Sequence, residues 1–276
     1  MSLLLAAPTA GALGLLIGSF LNVVVHRVPA GLSVSSPASA CPHCHASIRR
    51  RDNVPVLSWI VLRGRCRDCA TGISARYPIV ELATGVFFLL VAVWAWTRGE
   101  VPAGSAPLVA RLLSLAAFLW LAGVIVALAV IDVEHHRLPD AIVLPSYAVG
   151  SALLAASSIV AGDWAALGRA AVGAGVLVLL YLVLALARPG GMGLGDVKLA
   201  GVLGLYLGWL GWGELAVGAF AAFLLGGLFS AVLLVTRRVS RDGGIPFGPW
   251  MLAGTWVGVF AGGTVASGYL TLLGLA

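Results

Sequence analysis

The stretch LLSLAAFLWLAGVIVALAVID, Leu112 to Asp132, decides the fold. It is an apolar run from Leu112 to Ile131, closed by a single carboxylate. About twenty such residues in a helix match the hydrocarbon thickness of a bilayer, roughly 30 Å. A carboxylate at a spanning-helix centre costs about 2.5–3.5 kcal/mol, so Asp132 is a functional-site candidate by default. A second aspartate stands at the opposite end of another run. Asp196 closes Gly190-Gly191-Met192-Gly193-Leu194-Gly195-Asp196, directly before an apolar segment. Two carboxylates at the edges of hydrophobic segments point to one shared site.

The rest of the chain agrees. Of 276 residues, 60% are hydrophobic and 10% charged, whereas a soluble domain carries about 25% charged residues. Eight apolar segments can be read: Leu3–Val25, Ile79–Trp96, Leu108–Ile131, Ala141–Ala161, Ala170–Ala187, Val197–Trp212, Leu215–Val235 and Phe247–Leu275. Most reach spanning length, and the sixth is short. These runs exclude an ordinary soluble all-α protein and predict an all-α polytopic membrane protein of about eight transmembrane helices. Its 36 glycines suit helices that pack closely through small residues. The first segment has no basic stretch before it, which argues against a cleavable signal peptide. Three divisions follow: a first transmembrane helix (1–25), a cytosolic cysteine insertion (26–78) and a membrane-embedded remainder (79–276).

Lysine and arginine placement gives the orientation. With the loop after the first segment in the cytosol, 14 cations fall inside and 3 outside. Both termini are then outside, and both aspartates fall at the cytosolic face. The inside set includes the basic loop RRVSRDGG, Arg237–Gly244. The net charge of +6 thus follows topology and is no sign of nucleic-acid binding.

Three constellations carry chemistry. The first is the aspartate pair. Amide hydrolysis by two carboxyls needs one ionised group to take a proton from water and one protonated group to donate. Two carboxyls a few Å apart titrate as a coupled pair. Gly193 and Gly195 beside Asp196 lack Cβ, allow positive φ and let a substrate backbone approach. Helix capping competes as an explanation for Asp196, and it accounts for Asp140, after Pro139, better than catalysis does. It fails for Asp132, at a helix C-terminal end where the dipole disfavours negative charge.

The second is Cys41-Pro-His-Cys44 with Cys66-Arg-Asp-Cys69. Two C-x2-C pairs in a reducing cytosol favour a four-thiolate zinc site over disulfides. His43 and His45 are substitute ligands only, because four thiolates already close a tetrahedral shell. A closed shell is structural. The third is Ile245-Pro246-Phe247-Gly248-Pro249. Pro246, Phe247 and Gly248 either present irregular backbone to a peptide strand at the membrane edge or simply start a helix with Pro in its first turn. His26, His135 and His136 are given no role.

Five ordered motifs resemble one family, the type IV prepilin peptidases, membrane aspartyl proteases of the GxGD group. They are GSFLNVVVHRVP (Gly18–Pro29), the cysteine stretch Cys41–Gly85, IDVEHHRLPD (Ile131–Asp140), GMGLGDVKLAGVLG (Gly191–Gly204) and IPFGPWMLAG (Ile245–Gly254). The resemblance covers nearly the whole chain. It implies that Asp132 and Asp196 are the catalytic pair. It implies cleavage, after a Gly on the cytosolic side, of the basic leader of type IV prepilins or type II secretion pseudopilins. It implies N-methylation of the new N-terminus with S-adenosylmethionine, in a bacterial inner membrane. Two other classes compete. An ion-coupled transporter would use the aspartates as a relay, but the expected symmetry between the two halves is not visible. A zinc-organised scaffold would leave the aspartates unexplained.

Overall fold

A computed structural model describes residues 3–98, 104–188, 192–236 and 246–275. Gly190, Gly191, the basic loop Arg237–Gly244 and Ile245, all singled out above, lie outside the described residues. The described chain is helical: α1 Leu3–Arg27, the short α2 Leu57–Val61, α3 Arg76–Thr97, α4 Ser105–His135, α5 Asp140–Ala161, α6 Trp164–Ala187, α7 Leu194–Leu210, α8 Trp212–Val235 and α9 Gly248–Leu272. Each of the eight apolar segments is a helix. α1, α3, α4, α5, α6 and α8 are long and apolar enough to cross a membrane. α7, with 17 residues, is at the lower limit of spanning length.

The chain divides into two compact units. The first holds residues 1–100 with 118–130 from the middle of α4. Here α1 lies against α3, and glycines set the spacing. A Cβ on Gly14 would stand 2.7 Å from the Thr84 carbonyl oxygen, and one on Gly18 would stand 2.7 Å from the Glu81 Cα. Only a residue without a side chain permits this backbone approach.

The second unit holds 101–117 and 131–276, and both aspartates belong to it. Its axis is α7, which touches α5, α6, α8 and α9. Ala200, Val202 and Tyr206 of α7 are fully buried. Close approach again explains the packing, since Gly204 of α7 faces the Gly173 backbone of α6 with no room for a Cβ. Apolar burial drives nothing in lipid, so small-residue contacts and interhelical hydrogen bonds must hold such helices. The Tyr206 hydroxyl donates to the Ala117 carbonyl at 3.1 Å, and Trp209 Nε1 donates to Ser158 Oγ at 2.8 Å.

The turn from α5 to α6 shows the local code. Gly162 stops α5 in the left-handed conformation, φ 71°. Asp163 then starts α6 by accepting from the Ala166 N–H at 3.0 Å. Asp140 does not act in this way, contrary to the expectation above. The residue before α5 is Pro139, and no side chain caps that helix. Asp140 instead pairs with Lys198 Nζ of α7 at 2.8 Å, because α5 and α7 are neighbours.

Candidate functional site

Asp132 sits in the last turn of α4, and its carbonyl accepts from the His136 N–H that ends the helix. The His136 backbone is left-handed, φ 51°, so the chain turns sharply away after Asp132. The Asp132 side chain is 5% exposed, and its Oδ2 is buried without a hydrogen-bond partner. A buried polar atom without a partner is costly and demands an explanation. The Gly248 backbone approaches this carboxyl. A Cβ on Gly248 would collide with Asp132 Oδ2.

Asp196 is half-buried in the first turn of α7. Its Oδ2 accepts from the Gly193 N–H at 3.1 Å. This is the acidic half of a capping box, so the capping explanation holds in part. Leu138 packs against Gly195, the neighbour of Asp196, and against Gly248, which abuts Asp132, so the two aspartates belong to one neighbourhood of the second unit. His136 is also close enough to interact with Asp132, a placement the residue order did not show.

The conformational part of the glycine expectation is not met. Gly193 has φ −81°. Gly195 lies inside α7 and is absent from the residues with positive φ. Neither serves a left-handed turn. The missing Cβ of Gly195 makes room for Leu138, whose Cβ would stand 3.2 Å from an alanine methyl there. The Pro246–Pro249 stretch meets the expectation of a helix start with Pro in its first turn. Gly248 starts α9 and Pro249 occupies its first turn, while the Gly248 backbone borders Asp132. The Phe247 ring packs with Phe223 at 5.3 Å and Tyr181 at 6.1 Å between centroids. Phe247 thus anchors the start of α9 in an aromatic cluster. Pro246, half-buried, directly precedes it.

In the first unit the four cysteines form two matching knuckles. In each, the amide of the first cysteine donates to a carbonyl five residues on. Cys41 N–H donates to the Ala46 carbonyl at 3.0 Å, and Cys66 N–H donates to the Thr71 carbonyl at 2.8 Å. The residue after each second cysteine, His45 or Ala70, has φ 57°, which folds the chain around the thiols. All four Sγ atoms lie within 4.8 Å of one another. Cys41 and Cys69 Sγ are 3.8 Å apart, about the edge of a tetrahedron with metal–sulfur bonds of roughly 2.3 Å. The four thiols alone make the cluster that can hold a metal ion, without His43 or His45.

The thiols are tuned unequally. Side-chain and backbone hydrogen bonds from Thr71 pull Cys69 down to about 6. Cys44, although the Ala46 amide favours its thiolate, is pushed up to about 12 by desolvation and its neighbouring thiols. Four thiolates crowded together resist full ionisation, and a divalent cation at the centre removes that resistance. Two ion pairs clasp the knuckles. Arg49 reaches Asp68 at 2.8 Å, and Arg67 Nε reaches Asp52 Oδ2 at 2.8 Å. Further on, Glu81 of α3, buried, accepts from the Val56 N–H at 2.7 Å and ties the insertion to its helix. Glu81 and the clasps carry no motif spacing that would have announced them.

Comparison with known proteins bears on this arrangement. Residues 12–96 match the description of the bacterial peptidase A24 N-terminal domain, and residues 118–233 match the type IV leader peptidase family. A prepilin leader peptidase/N-methyltransferase of Stutzerimonas stutzeri is 34% identical, covering 94% of this chain and 91% of its own. Its namesake in Aeromonas hydrophila is 36% identical, covering 93% and 91%. That of Neisseria gonorrhoeae is 34% identical, covering 91% and 89%. No solved structure matches the chain significantly. Similarity at this level, across nearly the full length of both partners and through both units, places the chain in the type IV leader peptidase family.

Proposed function

We propose that Asp132 and Asp196 are the catalytic pair of an aspartic endopeptidase that removes the leader from type IV prepilin or type II secretion pseudopilin precursors. The observation that carries this reading is the buried Asp132 carboxyl, one oxygen of which has no hydrogen-bond partner, set against Gly248, with Leu138 packed on both Gly248 and Gly195, the neighbour of Asp196. An orphaned carboxyl oxygen is costly in a purely structural role and useful where water and a peptide carbonyl must be gripped. In the first step one carboxylate takes a proton from water, and the water oxygen attacks the scissile carbonyl carbon. The other carboxyl gives its proton to the carbonyl oxygen. The resulting gem-diol collapses as the leaving nitrogen is protonated, and the C–N bond breaks. The pair then returns to one proton shared between two groups.

The proposed substrate-binding surface is formed by Gly193, Gly195, Pro246, Phe247 and Gly248; of these, Gly193 contacts Asp196 and Gly248 contacts Asp132. The leader is basic and is cut after a Gly. The cation bias supports a site at the cytosolic face, and the proposed membrane is the bacterial inner membrane. The thiol cluster holds one structural zinc, which its geometry fits. The family names include N-methyltransferase, and the same chain is proposed to methylate the new N-terminus. S-adenosylmethionine supplies the methyl group when bound.

The test is direct. Purified protein is incubated with a prepilin peptide, and the shortened product is measured. Asp132→Asn and Asp196→Asn each abolish the product while membrane insertion and helix content stay intact. Near-normal turnover in either variant overturns the assignment. Uptake of an ion or solute by reconstituted vesicles, with no cleavage, would favour the transporter instead.

A further inference from the structure

We infer that Leu138 is a specificity-determining residue, one that restricts the residue before the scissile bond to glycine. The inference rests on the peptidase reading above and concerns the same site.

Leu138 lies on the short connection between α4 and α5, six residues after Asp132. Its side chain touches both glycine-bordered walls of the site. Its Cβ lies 3.2 Å and its Cδ1 3.7 Å from the Cβ position of Gly195, in the turn of α7 that carries Asp196. Its Cδ2 lies 3.6 Å from the Cβ position of Gly248, whose other neighbour is Asp132 Oδ2. One leucine thus spans from Gly195, the residue before Asp196, to Gly248, which abuts Asp132. It is half-buried, so part of it faces outward.

A peptide carbonyl must come within hydrogen-bond reach of both carboxyls to be cut. The α-carbon next to that carbonyl then lies about 1.5 Å from it. On the side bounded by Gly195 and Gly248 the space for a side chain on that carbon is already taken by the Leu138 isobutyl group. The two wall glycines give no further room, since their own missing side chains are filled by Leu138 and by Asp132. A residue with no Cβ enters, and a residue with one meets Leu138. Discrimination between substrates differing by one methyl group in a tight apolar contact is worth about tenfold or more.

The test compares two prepilin peptides that differ only at the residue before the scissile bond, Gly against Ala. The ratio of their kcat/KM values is measured in one enzyme preparation, so the fraction of folded protein cancels. Wild type prefers the Gly peptide. Leu138→Ala lowers that preference about tenfold, chiefly by faster cutting of the Ala peptide, and Leu138→Met, which keeps volume, retains most of it. An unchanged ratio in Leu138→Ala, with the Gly peptide still cut, overturns the inference and leaves the peptidase reading standing. Absence of cleavage of either peptide by wild type, or equal cleavage by Asp132→Asn, overturns the peptidase reading and the inference with it.

Discussion

Lys198 of α7 reaches Asp140 at the start of α5, its Nζ lying 2.9 and 2.8 Å from the two carboxylate oxygens. Beside this pair the Tyr147 hydroxyl donates to the Lys198 carbonyl at 2.7 Å. The two contacts tie the α5 start to the turn of α7 that bears Asp196. The ion pair is solvent-exposed, with side chains 44% and 53% accessible, and exposed pairs contribute about 0.2–1 kcal/mol.

Asp140→Asn therefore has a mild effect. Cleavage falls by no more than a few-fold, and the thermal midpoint moves little. Peptide assays beside a melting curve check this. Complete loss of cleavage would mean that Asp140, rather than Asp132, is the first aspartate of the pair.

Gly248→Ala gives a sharper outcome. Its new methyl would collide with Asp132 Oδ2, and in a helix start alanine costs nothing in backbone freedom. The carboxyl must move, and a displacement near 1 Å at a reacting group costs about a hundredfold in rate. Helix content by circular dichroism stays unchanged while cleavage falls by about that factor. Retained cleavage would remove Gly248 from the wall of the site.

Much of this was legible from residue order, and the reasons are physical. An apolar run long enough to span and broken by few charges has one stable form in lipid, so all eight segments appear as helices. The boundary of α7 moved to Leu194 because Asp196 sits inside the first turn as a capping residue. The cysteine pairs were legible because metal ligation demands that spacing. The Lys198–Asp140 pair was not, since its members are 58 residues apart and only the packing of α5 on α7 joins them. Leu138 was equally silent. A leucine beside a histidine pair has no spacing that marks it. The glycines were visible for their missing Cβ, but the positive φ also expected of Gly193 and Gly195 is not adopted.

Removing metal from the cysteine insertion unfolds it locally. Purified protein contains about one zinc per chain by metal analysis, and serine at Cys41, Cys44, Cys66 or Cys69 lowers that stoichiometry. The insertion belongs to the first unit and both aspartates to the second. Such variants therefore lose methylation more than cleavage. Equal loss of both activities would indicate general collapse of the chain.

The Asp52–Arg67 clasp responds to acid in a defined direction. The Arg67 side-chain hydrogen bonds, with the charges of Arg67, Arg51 and Arg49, hold the Asp52 carboxyl below its ordinary value. A folded value below the unfolded one gives stability that is present above the unfolded value, about 3.9, and is lost as pH falls through the folded value. The clasp is therefore constant from neutral pH to about pH 5 and fades below about pH 4. A carboxyl-carbon NMR titration shows Asp52 with a midpoint below about 3.9, and Arg67→Ala returns it toward that value. An unshifted midpoint in wild type would remove the clasp from any account of the insertion's stability.

Gly195→Ala separates site from scaffold. Gly195 is helical, so alanine there relieves backbone entropy by about 0.5–1 kcal/mol with no conformational strain. The cost falls on Leu138, whose Cβ would be 3.2 Å from the new methyl and must yield by a few tenths of an ångström. That shift is transmitted to the site, because Leu138 also abuts the Gly248 wall. Expression and thermal stability hold, and cleavage falls by about tenfold to a hundredfold. The double variant Gly195→Ala, Leu138→Gly recovers part of the loss, since residues in contact are coupled and the second change removes the Cβ that clashes. If Gly195 serves only helix packing, the single variant is less stable yet cuts normally per folded molecule, and the double variant recovers nothing. That pattern would leave Asp196 as the sole residue of its motif with a chemical purpose.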